Sequence, residues 1–464
     1  MLRWLAQRVG GHAVLLDPFG RPVRSVPGRP VDVLEAAAGE IRRVVAGEVE
    51  AASVAGPTWW ARVVRAAGGH GNPALLVTSR TRLGQDMGSV IADAAALLGL
   101  RWSADQRERA DAMIRESVLH LLMNGEVGPA RQVAGVMKPD LAEMVQVIVV
   151  EGPAAARGVV ANRLEAAYDG AAWIVRCPVY RHHVIVLLPV DDPEDDSAGE
   201  FTRVLRAATA ATAAALAVGV GDPVALRDTS VGYEQAYHAL AVARHRPERY
   251  ARYTVAGDMA AAVPDEARLW ARKVLAPLLE YEPARERDLD GAQLRMTLQS
   301  WLIFREGAAS QLKIHPNTLA KRVKRIAAIL GRDLSSLDDQ AELNLALKML
   351  HRPRPQAAGS PPELGELLRA PAVRDWARTL LAPLEESPAI LETVRAWLAA
   401  GESAEAAADL LARTSSNPVT GRHVRRRIQH AERMLGRALV GGPSARYDVL
   451  LALRVRDGGE LDAA

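Results

Sequence analysis

Residues 294–334 read LRMTLQSWLIFREGAASQLKIHPNTLAKRVKRIAAILGRDL. The first nine residues, Leu294 to Leu302, form an apolar helix. A short helix follows over 307–313, with the paired small residues Ala308 and Ala309, and then a break at Ile314-His315-Pro316. Asn317 is the expected N-cap of a longer helix, because its side-chain oxygen can accept an orphan backbone N–H. Along that helix Leu319, Val323, Ile326 and Leu330 recur at spacings of four, three and four, which is one buried face. Thr318, Lys321, Arg322, Lys324 and Arg325 fill the other positions. A short helix, a tight turn and a cationic helix make a helix-turn-helix. The small residues let the second helix come close. That helix can then enter a major groove, with Asn317, Thr318 and Lys321 at base edges and Arg322, Lys324 and Arg325 at phosphates. A plain helical bundle with a basic exterior is the alternative.

The charge distribution points the same way. The chain has 464 residues and a net charge of only +3. Four of its six lysines (Lys313, Lys321, Lys324, Lys348) nevertheless fall within 36 residues. Between Gln293 and Arg332 there are eight basic residues and one acid; between Arg413 and Arg437, seven arginines and one acid. Two compact basic patches in a near-neutral chain suit a polyanion bound at defined places.

The second patch belongs to a repeat. Trp270-Ala271-Arg272 and Leu275-Ala276-Pro277-Leu278 recur as Trp376-Ala377-Arg378 and Leu381-Ala382-Pro383-Leu384. Thr297 with Trp301-Leu302 recurs as Thr393 with Trp397-Leu398. Ala308-Ala309 and Leu312 recur as Ala406-Ala407 and Leu410. Leu330-Gly331-Arg332 recurs as Leu435-Gly436-Arg437, and a closing helix over 343–350 recurs over 447–455. So many ordered matches imply a duplicated all-helical domain. In the second copy the basic helix runs from Gly421 to Leu435 and carries Arg422, Arg425, Arg426 and Arg427, with Val424, Ile428 and Leu435 inward. Arg422, Arg425 and Arg426 are the expected DNA contacts, laid along phosphates rather than reading bases, a role other than DNA binding being the alternative for this copy. The loop before this helix, 414–420, reads about seven residues longer than its counterpart.

Upstream, the first hundred residues read as a small α/β unit. Strands are expected at 13–16, 74–78 and around Trp59-Trp60, and helices at 34–45 and 84–100. Trp59 and Trp60 read as core residues, with a ligand-pocket wall as the other reading. A second unit follows, its first helix expected to start at an N-cap Ser103. Its strands are expected at 145–150, 171–175, 183–188 and 216–220, and its helices at 154–167, 200–215 and 230–243. That βαββαβ order is ferredoxin-like. The acidic stretch 191–196 reads as an exposed loop. From Glu266 on, no strand is expected. Pro353-Arg354-Pro355 and Gly359-Ser360-Pro361-Pro362 mark a linker.

The helix-turn-helix segment resembles the C-terminal domain of PucR/CdaR-type (purine-catabolism regulator) transcription regulators. The resemblance rests on His315, Asn317, Thr318, Leu319, Arg322, Val323, Arg325, Ile326, Leu330 and Gly331. The family usually has an aromatic residue or His just before the Arg, where this chain has Lys321. Residues 118–125, Val218-Gly219-Val220-Gly221 and 233–243 look like parts of the GGDEF-related middle domain of such regulators, and the first hundred residues look like a GAF-type sensory domain. The resemblance implies a multidomain α+β chain: a GAF-like sensory domain at 1–101, a degenerate GGDEF-related domain at 102–255, and a PucR-type helix-turn-helix domain at 265–352. A linker at 353–365 and a second, divergent helix-turn-helix domain at 366–458 complete it. It implies a ligand-responsive DNA-binding transcription regulator whose partners are double-stranded DNA, a small-molecule effector in the N-terminal domains and a second copy of the chain.

Other readings lack residues. No Gly-Gly-Asp/Glu-Glu-Phe turn occurs, so nucleotide cyclisation has no site. Gly219-x-Gly221 lacks the third glycine of a dinucleotide fingerprint and reads as a tight turn. Ser310-Gln-Leu-Lys313 lies inside the helix-turn-helix without the partners a Ser-x-x-Lys acyl transferase needs. His182 and His183, read as neighbours on one strand, would face opposite ways and not share a metal. The single cysteine, Cys177, permits no disulfide framework or cysteine-rich zinc site and reads as an inert core thiol. No cofactor or metal is expected, no enzyme activity, and no membrane span or signal peptide; the expected location is the cytoplasm. A signalling scaffold that keeps the regulator fold without binding DNA is the remaining alternative.

Overall fold

The computed structural model describes residues 1–66, 72–191, 197–208, 216–253, 259–285, 288–351, 359–414, 419–442 and 445–458. The chain divides into two compact units, Met1–Met113 and Ile114–Ala464.

The first unit holds α1 (Leu2–Val9), β1 (Ala13–Leu16), β2 (Pro22–Val26), α2 (Val31–Ala36), α3 (Ala38–Ala46), β3 (Ala51–Ala55), β4 (Trp60–Arg65), β5 (Ala74–Ser79) and the start of α4 (Gln85–Met123). Its sheet is antiparallel in the order β2-β1-β5-β4-β3. Alternation along β5 serves both faces. Leu75 and Val77 pack with Leu5 and Ile91 on one side, while Leu76 packs with Ile41 and Val44 on the other. Trp59 is half-buried against the second of these clusters, and Arg82 lies over the Trp60 ring. The expected helix at 34–45 is two helices; β2 follows the turn at Asp17-Pro18-Phe19-Gly20, which reads as lying between strand-like segments, while β3, an edge strand, was not anticipated. Helix α4 runs unbroken through Gly99 and Ser103. Ser103 is therefore no N-cap, and the expected boundary at 101/102 falls inside a helix.

The second unit begins with the end of α4 and α5 (Val127–Ala134). Then come β6 (Met144–Glu151), a 3-10 turn (Ala154–Ala156), α6 (Arg157–Tyr168), β7 (Trp173–Arg176), β8 (His183–Pro189), α7 (Ser197–Ala208), β9 (Ala217–Ala225), α8 (Thr229–Ala243), β10 (Tyr250–Arg252) and α9 (Met259–Ala262). The sheet order β10-β9-β6-β8-β7 contains the four strands of the ferredoxin-like order, all antiparallel, with β10 added parallel to β9. Again one strand feeds two cores: Val145, Val147 and Val149 of β6 meet Val118, Leu122, Tyr233 and Leu240, while Ile148 and Val150 meet Val160, Leu164 and Phe201. Gly219 and Gly221 are not a turn. They lie within β9, where a Cβ on Gly219 would stand 2.1 Å from the Ala236 carbonyl oxygen and one on Gly221 2.6 Å from that of Gly232. Glycine here lets α8 press onto the strand. Residues 192–196, 209–215 and 352–358, where the acidic loop, the end of the helix expected at 200–215 and the Pro-Arg-Pro linker fall, lie outside the described residues.

Helices alone follow among the described residues: α10 (Ala267–Leu279), α11 (Gly291–Phe304), α12 (Ala308–Gln311), α13 (Pro316–Leu330), α14 (Leu337–His351), α15 (Leu364–Leu368), α16 (Pro371–Glu385), α17 (Pro388–Ala399), α18 (Ala404–Thr414), α19 (Gly421–Leu435) and α20 (Ala445–Arg456). Leaving α15 aside, α10–α14 and α16–α20 are the same five-helix series. Trp270 and Trp376, and Thr297 and Thr393, are buried at matching places. The two series share one hydrophobic core. No helix among the described residues is long and apolar enough to cross a membrane.

Candidate nucleic-acid interface

The turn between α12 and α13 is built from local chemistry. Ala308 and Ala309 are buried, so α12 can seat closely. Lys313 carries the left-handed backbone (φ 53°) that tightens the turn, and its ammonium lies 3.3 Å from Glu116 on the end of α4. The cap of α13 is His315, not Asn317: the His315 ring Nδ1 accepts the backbone N–H of Asn317 at 3.2 Å, and Pro316 takes the first helical position. Proline suits that position because its missing N–H is one of the helix's orphans. Asn317 thereby becomes the second residue of the helix, with its side chain exposed. At the other end Gly331 closes the helix in the left-handed conformation.

Leu319, Ile326 and Leu330 are buried and Val323 is half-buried, as the spacing predicts. Asn317, Thr318, Lys321 and Lys324 are exposed, and none has a side-chain partner among the described residues. Arg322 is half-buried and likewise unpaired. Arg325 differs. Its guanidinium donates to the Tyr281 hydroxyl, stacks over that ring at 5.4 Å, and reaches Asp288 at 3.5 Å. It braces α13 against the segment after α10.

The second basic helix, α19, superposes on this pattern with a shift of 105 residues. Thr420 caps it in a reciprocal box with His423, and Gly436 closes it. Val424, Ile428, Ala431 and Leu435 are buried. Arg422 and Arg426 are exposed and unpaired among the described residues. Arg425 is exposed but bonded to Glu405, and Arg427 donates to the Thr393 hydroxyl at 3.1 Å. Arg433, not singled out in the sequence, completes an outward stripe Arg422-Arg426-Arg433. Much of the extra length before α19 is helix: α18 spans 11 residues where α12 spans 4. Residues 415–418 lie outside the described residues.

The ferredoxin-like layer holds both helical series. On the first, Gln299 donates to the Met123 carbonyl at 2.9 Å, Arg295 reaches Glu126 at 3.3 Å, and Lys348 pairs with Glu234 at 2.9 Å with both groups largely buried. On the second, Arg437 is 1% exposed; it pairs with Asp448 at 2.6 Å and donates to the Tyr253 hydroxyl at 2.8 Å. The Ala438 N–H donates to His238 Nδ1 at 2.9 Å, and Tyr180 and Tyr237 both donate to the Gly441 carbonyl. Burial holds His238 well below its ordinary range, with Arg437 and Lys348 adding to the effect, so the ring is a neutral acceptor. None of these contacts has a signature in sequence spacing.

Each unit has a cavity of its own. In the first unit a groove of about 550 Å³ lies beside Phe19, Arg21, Arg29, Glu35 and Arg42. In the second unit a cavity of about 520 Å³ lies between β9, the start of α8, α11 and α14, lined by Glu234, Lys348, Gln299, Asn344 and Arg227.

Elsewhere the structure corrects one expectation. His182 lies in the turn before β8, so strand alternation does not apply to it. Its Nε2 stands 3.5 Å from Glu151, and that of His183 3.0 Å from the same oxygen. These three side chains thus converge as metal ligands would. Arg244, however, donates to both Glu151 oxygens, at 3.1 and 2.5 Å. Burial alone would raise the Glu151 carboxyl, but the bonds from His183 and Arg244 outweigh it and hold the pKa at about 2. The carboxylate charge is already matched by a guanidinium. Cys177 is buried, and burial raises its thiol to about 11.

An exposed cationic helix presented by a tight helical turn, behind a ferredoxin-like layer, defines a helix-turn-helix protein. Residues 294–349 match the PucR C-terminal helix-turn-helix domain, and residues 124–242 match the GGDEF-like domain. The chain therefore carries a PucR-type helix-turn-helix preceded by a GGDEF-like domain. No curated protein matches it. Among solved structures it is similar to a regulator of polyketide synthase expression from Bifidobacterium adolescentis, with 17% identity over 52% of this chain and 93% of that one. The TM-score is 0.23, too slight a likeness to bear on function.

Proposed function

We propose that the protein is a ligand-responsive, sequence-specific DNA-binding transcription regulator of the cytoplasm. One observation carries the reading: on α13 the cations and polar groups at the N-terminal turn and along the outer face (Asn317, Thr318, Lys321, Lys324) are exposed and uncommitted. Arg325, on the flank, is by contrast tied to Tyr281 and Asp288. A helix that keeps its bracing charges paired and its outward charges free is suited to a polyanion. In this reading Asn317, Thr318 and Lys321 meet base edges. Lys324 and Arg322 meet phosphates, and Arg325 aligns the helix.

An effector would bind in the first unit, where the groove beside Phe19 is edged by Arg21, Arg29 and Arg42, the GAF-like sensory role expected of that segment. The test is a mobility shift on fragments of the protein's own upstream region at several salt concentrations. A shift confined to particular fragments, weakening steeply with salt, is expected. Equal and weak retention of all fragments would instead favour a scaffold without a DNA target.

A further inference from the structure

The two helical series are packed as a pair of equals. In the first, α10 packs on α14, α11 on α13 and α12 on α13; in the second, α16 packs on α20, α17 on α19 and α18 on α19. The main contact between the series is α14 against α20, equivalent element against equivalent element. Two identical subunits paired about a two-fold axis likewise set equivalent elements against each other. Here the contact joins two halves of one chain. It is not a loose tether, since buried residues of both series form one continuous core. Polar ties cross it as well. The Tyr447 hydroxyl lies 3.2 Å from the Leu302 carbonyl, to which it donates, and 3.3 Å from Gln340 Oε1. Arg446 donates to the Leu302 carbonyl at 3.4 Å, and Arg454 pairs with Asp338.

The outward stripes correspond position by position. Asn317, Lys321, Lys324 and Ala328 on α13 match Arg422, Arg426, Gln429 and Arg433 on α19, and all eight are exposed. The first stripe mixes an amide with two lysines. An amide can pair with a base edge. The second is nearly all arginine at spacings of four and seven, a row of forks suited to phosphate oxygens and indifferent to sequence.

We infer that a single chain is the DNA-binding unit. It acts as an internal pair whose α13 reads one segment of duplex DNA while α19 grips the backbone of an adjoining segment, so that its site is asymmetric. This rests on the DNA-binding reading above and adds stoichiometry and a division of labour. One helix-turn-helix reaches few base pairs, and regulators ordinarily gain reach by pairing chains. Here the pairing is covalent, so the expected homodimer is not needed to occupy a site.

The test uses the full-length chain on a duplex selected by it from genomic fragments. Sedimentation of the complex gives chains per duplex, and hydroxyl-radical footprints compare the wild type with the triple variant R422A/R426A/R433A. The three arginines are exposed, so the variant keeps its fold, which circular dichroism verifies. One chain per duplex is expected, with two adjoining protected stretches. The variant should lose the flanking stretch, keep the sequence preference of the other, bind about tenfold or more weakly at low salt, and show a salt slope shallower by about two to three. Two chains per duplex with a symmetric footprint, or an unchanged footprint and slope in the triple variant, would overturn the inference. Failure of the wild type to select any duplex would remove the DNA-binding reading itself, a separate and distinguishable result.

Discussion

Leu330-Gly331-Arg332 and Leu435-Gly436-Arg437 are the same three residues at the same place in the two helical series, yet they do different things. In both, glycine closes the basic helix with a left-handed backbone, and the arginine turns back to an acid of the closing helix. Arg332 pairs with Asp339 at 3.0 Å and Glu342 at 2.9 Å, with a third of its side chain in solvent. Arg437 pairs with Asp448 and is covered by Tyr253, His238 and the loop to Gly441, held by Tyr180 and Tyr237. The motif sets the pairing; the neighbour decides what the pairing is worth. Around Arg332 the ion pair competes with water. Around Arg437 the GGDEF-like domain has excluded the water, so the pair fixes where the second basic helix stands.

The largest effect should follow from that burial. R437A would leave Asp448 charged and unpaired in a dry site, at a cost of about 3–5 kcal/mol. Denaturant unfolding would show it as a lower midpoint, and R437K should recover only part because it loses the Tyr253 bond. A midpoint within experimental error of the wild type would erase the contrast between the two copies.

Acid should act next. The unfolded chain protonates His238 near its ordinary 6.5, whereas the folded chain, which needs Nδ1 as an acceptor, resists protonation. A depressed folded pKa means stability is unaffected above 6.5 and declines as pH falls below it. His183, also held down chiefly by burial, adds to this decline. Glu151 contributes lower in the scale: its stabilising effect is complete above 4.5 and is lost as pH falls toward about 2. Unfolding free energies measured between pH 8 and 4 should fall with decreasing pH, and the slope between 6.5 and 5 should shrink in H238F if the ring is its source.

Smaller effects sharpen the comparison. Y237F and Y180F each remove one bond to the Gly441 carbonyl, worth about 1 kcal/mol. The double variant should cost more than the sum, because the carbonyl keeps a partner after the first loss and neither tyrosine after the second. R332A, at the exposed copy, should cost under about 1 kcal/mol. An R332A penalty as large as that of R437A would mean the copies differ in sequence but not in environment.

What could be read from the chain alone follows from range. The βαββαβ order and the inward face of α13 rest on periodicities within single elements, and the repeat on an ordered series of matching residues about 100 apart; these were legible. Where a local signal was outvoted, the reading failed. Gly99 and Ser103 look like a stop and a cap, yet Gly in a helix costs only about 1 kcal/mol, and the helix formers around them carried α4 through. His315 displaced Asn317 as cap because Pro316 prefers the first helical position. Gly219 and Gly221 serve α8, not a turn, which spacing cannot tell. The clasp around Arg437 joins residues about 200 apart in sequence, and Arg325 was assigned to phosphates because Tyr281 and Asp288, some forty residues earlier, are invisible to helical spacing. Arg433, the last of the outward stripe on α19, stands seven residues after Arg426 and was legible at that helical spacing.

On this reading α13 presents free charge to DNA, while the paired Arg332 just past its closing Gly331 serves the fold. The direct measurement is the salt dependence of binding to a selected duplex for the wild type, N317A/K321A and R332A. The account predicts that N317A/K321A relaxes fragment preference and lowers the logarithmic salt slope by about one, with unfolding unchanged, while R332A leaves both slope and preference intact. A wild-type slope and preference retained in N317A/K321A would contradict it.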